Sequence, residues 1–329
     1  MKKIEGQICI GGYAGCGNLG DDAILQGVLA KLEHPDNTIV LSGNPKRDRE
    51  RFGVRCVNRL DPVAGTKALC SSERFLCGGG SLLQNETGNL SLLYYLSLLA
   101  LSLKCGCKPE LLAAGIGPLH GESAIRHTVS LLNRCAAIEL RDNDSLSYLT
   151  RLGVDPSLLS LVPDPAFSLP PPPPSRLPFL LQETGLSPDT SYFCVAVRSS
   201  DKHAPYLLPR LTVAIRLIRQ EHGAIPVFLP LDTHADLAAT SRLSTDTQGK
   251  IARLREASDA IAWLGGAQFS IGMRLHALIF SVMANIPTVG ISPSEREPKL
   301  LSFCRSHAIP HFSPSTLSVP ALVDKIKHL

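Results

Sequence analysis

An α/β protein with two parallel-sheet domains is what this sequence predicts, and three observations carry the prediction. Short apolar runs of strand length alternate with segments of helical periodicity along the whole chain, the pattern of βαβ units. The chain has 329 residues, enough for two domains at roughly 100–200 residues each. Five consecutive prolines at 170–174 interrupt the alternation once, and neither a helix nor a central strand runs through such a stretch.

The elements follow in order. In the first half, "QICIGG", "TIVLSG", "RFLCGGG", "ELLAAGIG", "AAIELR" and "LSLVPD" read as strands. After the first of them, Ile24, Leu25, Val28, Leu29 and Leu32 recur at helical spacing and predict a helix packed on the sheet. The apolar stretch "LSLLYYLSLLALSL" (90–103) is shorter than the ~20 residues a bilayer span needs, and predicts a buried helix. The proline run sets an extended linker at 170–178 between a first domain at 1–169 and a second at 179–329. The second half restarts with "YFCVAVR", the helical "LTVAIRLIRQEHG", then "IPVFLPL", "AQFSIG", "ALIFSVMAN" and "PTVGIS". Two Rossmann-like domains facing a cleft result, and both a sheet crevice and a domain interface favour ligands.

Composition narrows the function. Hydrophobic residues make up 44% and charged residues 19%, ordinary for a globular protein with a substantial core. Against 29 acidic residues stand 33 basic ones, a net charge of +4 with no Lys/Arg block. That does not by itself suggest nucleic acid, and an anionic substrate explains the balance as well as a polymer does; no nucleic-acid partner is expected. The ten cysteines include no CxxC pair, and the opening "MKKIEGQ" enters a strand rather than a signal-peptide core. Reduced thiols and a cytoplasmic location are expected, and no metal-ligand cluster is apparent.

Five segments carry candidate chemistry. The loop "GGYAGCGNLGDDAIL" has the dinucleotide-like spacing Gly15-x-Gly17-x-x-Gly20, with a helix N-terminus behind it. A nicotinamide site also wants an acid at the end of the second strand, where Ser42, Gly43 and Asn44 stand instead. Lys46 and Arg47 would suit a 2′-phosphate, but Asp21 and Asp22 would repel a pyrophosphate; a plain capping turn stays open. In "FLCGGGSLLQNETGN" a strand is expected to end at Gly78-Gly79-Gly80, where backbone N–H groups can meet a ligand, with Ser81, Gln84, Asn85 and Thr87 following. A bare glycine turn is the alternative. Arg141 ends an apolar strand, facing either a ligand or the neighbouring Asp142 and Asp144. Arg198 ends another, ahead of Ser199, Ser200, Lys202 and His203. In "GMRLHALIFSVMANIP", Arg274, Leu275 and His276 open an apolar helix, which adds a guanidinium and an imidazole to the helix's own N–H groups. Lys299 follows the next strand.

Taken together, "GYAGCGNLGDDAIL", "GGGSLLQNET", "AAGIGPL", "ELRDNDS", "PDPAF" and "GMRLHALIFSVMANIPTVGIS" resemble, in order and spacing, the polysaccharide pyruvyl transferases, and most closely the bacterial branch acting on cell-wall polymers. The resemblance runs from about Tyr13 to Lys299. It implies a glycosyltransferase-B-like fold and phosphoenolpyruvate as donor. It implies an acceptor such as N-acetylmannosamine in a lipid-linked saccharide, a cyclic ketal as product, no cofactor, and loose contact with the inner membrane face. Arg274, Leu275 and His276 fall on the donor-binding triplet, Arg141 and Lys299 match further donor-site cations, and Asp21 matches the acid of the G-N-x-G-D loop. The chemistry needs an acid and a base, for which His276 and Asp21 are the catalytic candidates. Gly17, Asn18, Gly79, Gly80, Ser81, Gln84 and Arg198 are assigned to the acceptor. The sequence departs from the family at "PSEREPK", which lacks the usual tyrosine before the lysine, and in its long polyproline linker. A nucleotide-sugar glycosyltransferase of the same architecture, using Glu295 or Glu297 on a ribose, is the alternative reading, and a non-catalytic NADP-binding module a weaker one.

Overall fold

The computed structural model describes residues 3–86, 88–198, 204–295 and 297–329. The chain divides into two compact units, Met1–Leu169 and Pro170–Leu329.

Among the described residues of the first unit, seven strands alternate with six α-helices. They run β1 (Ile8–Gly11), α1 (Leu19–Lys31), β2 (Thr38–Ser42), α2 (Pro45–Phe52), β3 (Arg55–Asn58), α3 (Pro62–Ser71) and β4 (Arg74–Leu83). Then come α4 (Asn89–Lys104), β5 (Lys108–Ile116), α5 (Glu122–Leu132), β6 (Ala137–Leu140), α6 (Asn143–Leu152) and β7 (Leu159–Leu161). The sheet is parallel, in the order β3-β2-β1-β4-β5-β6-β7. β1 and β2 are buried along their whole length, which is why they read as continuous apolar runs. Helix α4 turns Leu92, Tyr95, Leu96 and Leu99 into the core and leaves Leu90 and Leu93 exposed.

The second unit holds α7 (Arg176–Thr184), β8 (Tyr192–Ala196), α8 (Ala204–His222), β9 (Ile225–Phe228), α9 (Leu237–Thr247), β10 (Lys250–Ile251) and α10 (Ala257–Gly265). It continues with β11 (Ser270–Gly272), α11 (Leu275–Met283), β12 (Thr288–Ile291), α12 (Pro298–Ser306), β13 (His311–Phe312) and α13 (Val319–Lys327). Its parallel sheet has the order β10-β9-β8-β11-β12-β13. Among the described residues no helix is long and apolar enough to cross a membrane.

Three expectations change here. The strand expected to stop at Gly78–Gly80 continues to Leu83, paired with β5 through Gly80↔Ala114 and Leu83↔Ile116 across a register shift. Gly79 and Gly80 sit at φ +72° and +79°, and a β-carbon on Gly79 would fall 2.2 Å from Ile24 Cγ2. The glycines kink the strand so that α1 can close on it, and do not end it. The segment 170–178 is not linker throughout: α7 begins at Arg176, because a proline is tolerated in a first helical turn. The cysteines are not all thiols. Cys70 and Cys105 form a disulfide, since α3 and α4 pack side by side and bring these two Cα atoms within 4.8 Å. The other eight are free, seven of them buried, and burial pushes the thiols of Cys77, Cys135 and Cys304 up to about 12.

Candidate active site

In each sheet the strand order reverses at one point, and loops leaving the carboxyl ends there form a ligand crevice. In the first unit the reversal falls between β1 and β4, in the second between β8 and β11. The sequence candidates emerge at these places: the 12–18 loop and the β4 glycines in one unit, Arg198 and Arg274 in the other.

The two carboxylates of the glycine loop have separate tasks. Asp22 is fully buried; its Oδ1 accepts from the Gly15 N–H at 2.9 Å, and its Oδ2 from Arg51 Nη1 at 2.6 Å and Arg47 Nη2 at 3.0 Å. Arg47 is also bonded to Asp48, so the residue considered for a 2′-phosphate is committed to the scaffold. Successive helical side chains point about 100° apart, and Asp21 turns the other way, towards β4. It lines a small cavity with Gly12, Tyr13, Gly78 and Gly79, and a β-carbon on Gly80 would lie 2.8 Å from its Oδ1. Glycines at 79 and 80 thus make room for α1 and for Asp21. Gly17, at φ +89°, gives the turn its left-handed step. Asn18, expected on the acceptor, caps α1 with its side-chain oxygen on the Gly20 N–H at 2.9 Å. Gln84 Oε1 accepts from the Glu86 N–H at 2.8 Å.

Arg141 leaves the end of β6 and is 7% exposed. Its partner is neither Asp142, which caps α6, nor Asp144, but Asp164 of "PDPAF": Nη1 donates to Asp164 Oδ2 at 3.1 Å, and Nη2 to Ser81 Oγ at 3.3 Å. Asp164 Oδ1 in turn caps the 3₁₀ turn Pro165–Ser168 through the Ala166 N–H. Arg141, Ser81 and Asp164 therefore form one connected group across β4, β6 and the loop after β7.

In the second unit, Arg274 is the N-cap residue of α11, Leu275 its first and His276 its second residue. The guanidinium is held in a fork: Nε donates to Asp236 Oδ2 at 2.7 Å and Nη2 to Asp236 Oδ1 at 2.5 Å, with Asp232 Oδ2 3.5 Å from Nη2. Asp236 is fully buried; burial pushes its carboxyl above the ordinary range, and Arg274 pulls it back. Both aspartates lie in "LDTHAD", after β9, and neither is among the residues that the sequence motifs single out. An acid pair four residues apart after an apolar strand was the available signal. The His276 ring lies 6.1 Å from the Phe280 ring, tilted 41°. Arg198 Nη1 donates to Glu297 Oε1 at 2.8 Å, and Lys299 follows two residues later as the second residue of α12. Glu295 accepts from the Ser315 N–H and hydroxyl. Both glutamates proposed for a ribose are thus engaged within their own unit. Thr87, Ser199, Ser200, Lys202 and His203 lie outside the described residues.

Two parallel-sheet α/β units with polar loops at their reversal points define the glycosyltransferase-B-like class. A glycosyltransferase from Rickettsia africae shares the fold with a TM-score of 0.61 at 12% identity, over 99% of this chain and 88% of that one. The UDP-GlcNAc 2-epimerase from Neisseria meningitidis bound to UDP-GlcNAc matches with a TM-score of 0.63 at 10% identity, over 98% and 90%. The E. coli ADP-heptose lps heptosyltransferase II matches at 0.57 and 11% identity, over 98% of each chain. At such identities the likeness is one of fold. No curated protein matches in sequence. The sequence model of the polysaccharide pyruvyl transferases matches residues 18–295, and the chain belongs to that enzyme family.

Proposed function

We propose that the protein transfers the pyruvyl unit of phosphoenolpyruvate onto two hydroxyls of one sugar, forming a cyclic ketal and releasing phosphate. The observation that carries this reading is the start of α11: a helix N-terminus opened by an arginine fixed in orientation by a buried aspartate. Backbone N–H groups, the helix dipole and an oriented guanidinium suit a ligand bearing phosphate and carboxylate. Arg141 and Lys299 are the further donor-site cations of the proposal.

In the proposed reaction a sugar hydroxyl adds to C2 of the enol while C3 takes a proton to become a methyl group. The C2–O bond to phosphate then breaks, and the second hydroxyl, losing its proton, closes the ring on C2. Phosphoenolpyruvate and a diol thus yield ketal and inorganic phosphate. A general acid and a general base are needed; His276 serves the phosphate side or protonation, and Asp21 the acceptor hydroxyl. The glycines at 17, 79 and 80, with Asn18, Ser81, Gln84 and Arg198, shape or line the acceptor side. No resident cofactor is required. A lipid-linked saccharide containing N-acetylmannosamine is the proposed acceptor, met at the cytoplasmic membrane face.

Incubation with phosphoenolpyruvate and candidate sugars should release phosphate and add mass to the sugar. A melting temperature raised by UDP and unmoved by phosphoenolpyruvate would turn the reading to nucleotide-sugar transfer. Replacing His276 with alanine is expected to lower kcat by about 10²–10⁴, the usual span for a lost acid–base group. Full activity in that variant would remove His276 from the chemistry.

A further inference from the structure

One cluster in the first unit is used by none of these assignments. Arg59 follows β3 and reaches over the carboxyl edge of the sheet towards the glycine loop. Its guanidinium carbon lies 5.1 Å from the ring centre of Tyr13, 4.7 Å from that of Tyr94 and 5.8 Å from that of Tyr95. Nη1 donates to Cys16 Sγ at 3.2 Å, Nη2 donates to the Tyr95 hydroxyl at 3.2 Å, and the Tyr94 hydroxyl donates to the Arg59 carbonyl at 2.9 Å. Tyr94 and Tyr95 meet edge to face with ring centres 5.0 Å apart.

The three rings are not equivalent. Tyr95 is buried and Tyr94 half-buried, so core packing accounts for both. Tyr13 stands in the loop between β1 and α1, is 44% exposed, and lines the same cavity as Asp21. Burial is what chiefly opposes ionisation of the Tyr95 phenol, and the Asp21 carboxylate adds a little in the same direction. A large aromatic ring with a guanidinium over it, itself pinned by a thiol and a phenol, is a rigid surface beside the proposed acceptor base. Arginine stacked on an aromatic face holds the ring in place at little entropic cost.

We propose that Tyr13 is the platform on which the pyranose ring of the acceptor stacks, making it a specificity-determining residue. The inference rests on the acceptor being a sugar. One face of a pyranose that carries axial hydrogens is apolar, and its C–H bonds present a positive edge to the negative face of an aromatic ring. Polar groups then fix orientation, as in most small-molecule sites, and Asp21 lines the same cavity. The platform discriminates by the substituents on the stacked face: an axial hydroxyl there, as at C3 of allose, breaks the contact.

The test uses the full chain and methyl β-glycosides of N-acetylmannosamine and allose, with saturation-transfer NMR for binding and phosphate release for turnover. For N-acetylmannosaminide, transfer is expected to be strongest at the axial protons H1, H3 and H5. Tyr13→Ala should raise its Kd and its KM about tenfold, the order of loss expected for one aromatic stacking contact, and leave KM for phosphoenolpyruvate within about twofold. Tyr13→Phe should restore most of the affinity, and Arg59→Met should lose an intermediate share. Unchanged acceptor affinity in Tyr13→Ala, a shift in the phosphoenolpyruvate KM instead, or equal binding of the alloside would each overturn the platform. So would a wild-type protein that binds neither glycoside. If the sugar binds through Tyr13 but no phosphate is released, the platform stands and the proposed reaction fails.

Discussion

Exchanging Arg274 for lysine should lower kcat/KM for phosphoenolpyruvate by about 10²–10³, and Asp236→Asn should reproduce most of that loss. The loss of one preorganised donor to a developing anion is worth roughly this much, near 3–4 kcal/mol. Lysine keeps the charge but not the fork. In the native pair, Nε and Nη2 are both given to Asp236, which leaves the guanidinium one orientation relative to the start of α11. A lysine ammonium has no such constraint. Asparagine at 236 keeps the shape and removes the charge, so its effect isolates orientation and electrostatics from packing. The two single losses should not add in the double variant, because either change alone releases the same group. Fold is expected to survive: with the guanidinium gone, Asp236 can take a proton, the direction in which burial already pushes it. Phosphate-release kinetics across the four proteins decide the matter. Values within about threefold of wild type for Arg274→Lys would take the arginine out of the donor site.

The second large effect is on stability. Gly27→Ala should destabilise the first unit by about 3 kcal/mol or more, lowering its melting temperature by roughly 6–12 °C for a domain of this size. An alanine in a helix normally helps by 0.5–1 kcal/mol relative to glycine, so the expected sign is reversed. The reason is backbone against backbone: a β-carbon at 27 would fall 1.9 Å from the Pro165 carbonyl oxygen and 2.5 Å from its carbon. No side chain can turn aside there, and α1 or the 3₁₀ turn Pro165–Ser168 must move. That turn is capped by Asp164, the partner of Arg141, so activity should fall as well. Gly65→Ala in α3, where a β-carbon meets nothing within 4 Å, is the control and should be neutral or mildly stabilising. Calorimetry on both variants settles it; equal melting temperatures would mean that α1 slides at no cost.

The parts of the fold legible in the sequence were those with a continuous physical signal. β1, β2 and β8 are buried on both faces and read as apolar runs, and α1 shows its packed face as Ile24, Leu25 and Val28. β3 was missed because two of its four residues are exposed, and β10 and β13 because two residues carry no period. The Gly78–Gly80 triplet misled because glycine is read locally as a stop. Here a neighbouring strand continues the ladder past it and a helix needs the space. At the candidate site, the place of Arg274 and His276 at the start of α11 could be read because a glycine-ended strand announces that helix. Asp236 could not, since its contact spans 38 residues and depends on strand order. Nor could the division of labour between Asp21 and Asp22 be read from adjacent identical letters.

The two strand-end arginines have a consequence for descent. Arg141 is held by Asp164 from the loop after the neighbouring strand, and Arg274 by Asp236, again from a loop after a different strand. In both pairs the acid is buried, so losing either member alone leaves its partner to be neutralised or to stand uncompensated in the interior, and either outcome costs stability. A lineage that drifts away from this chemistry would therefore have to change both letters of a pair almost together. Retained arginines paired with altered aspartates should be rare among its descendants.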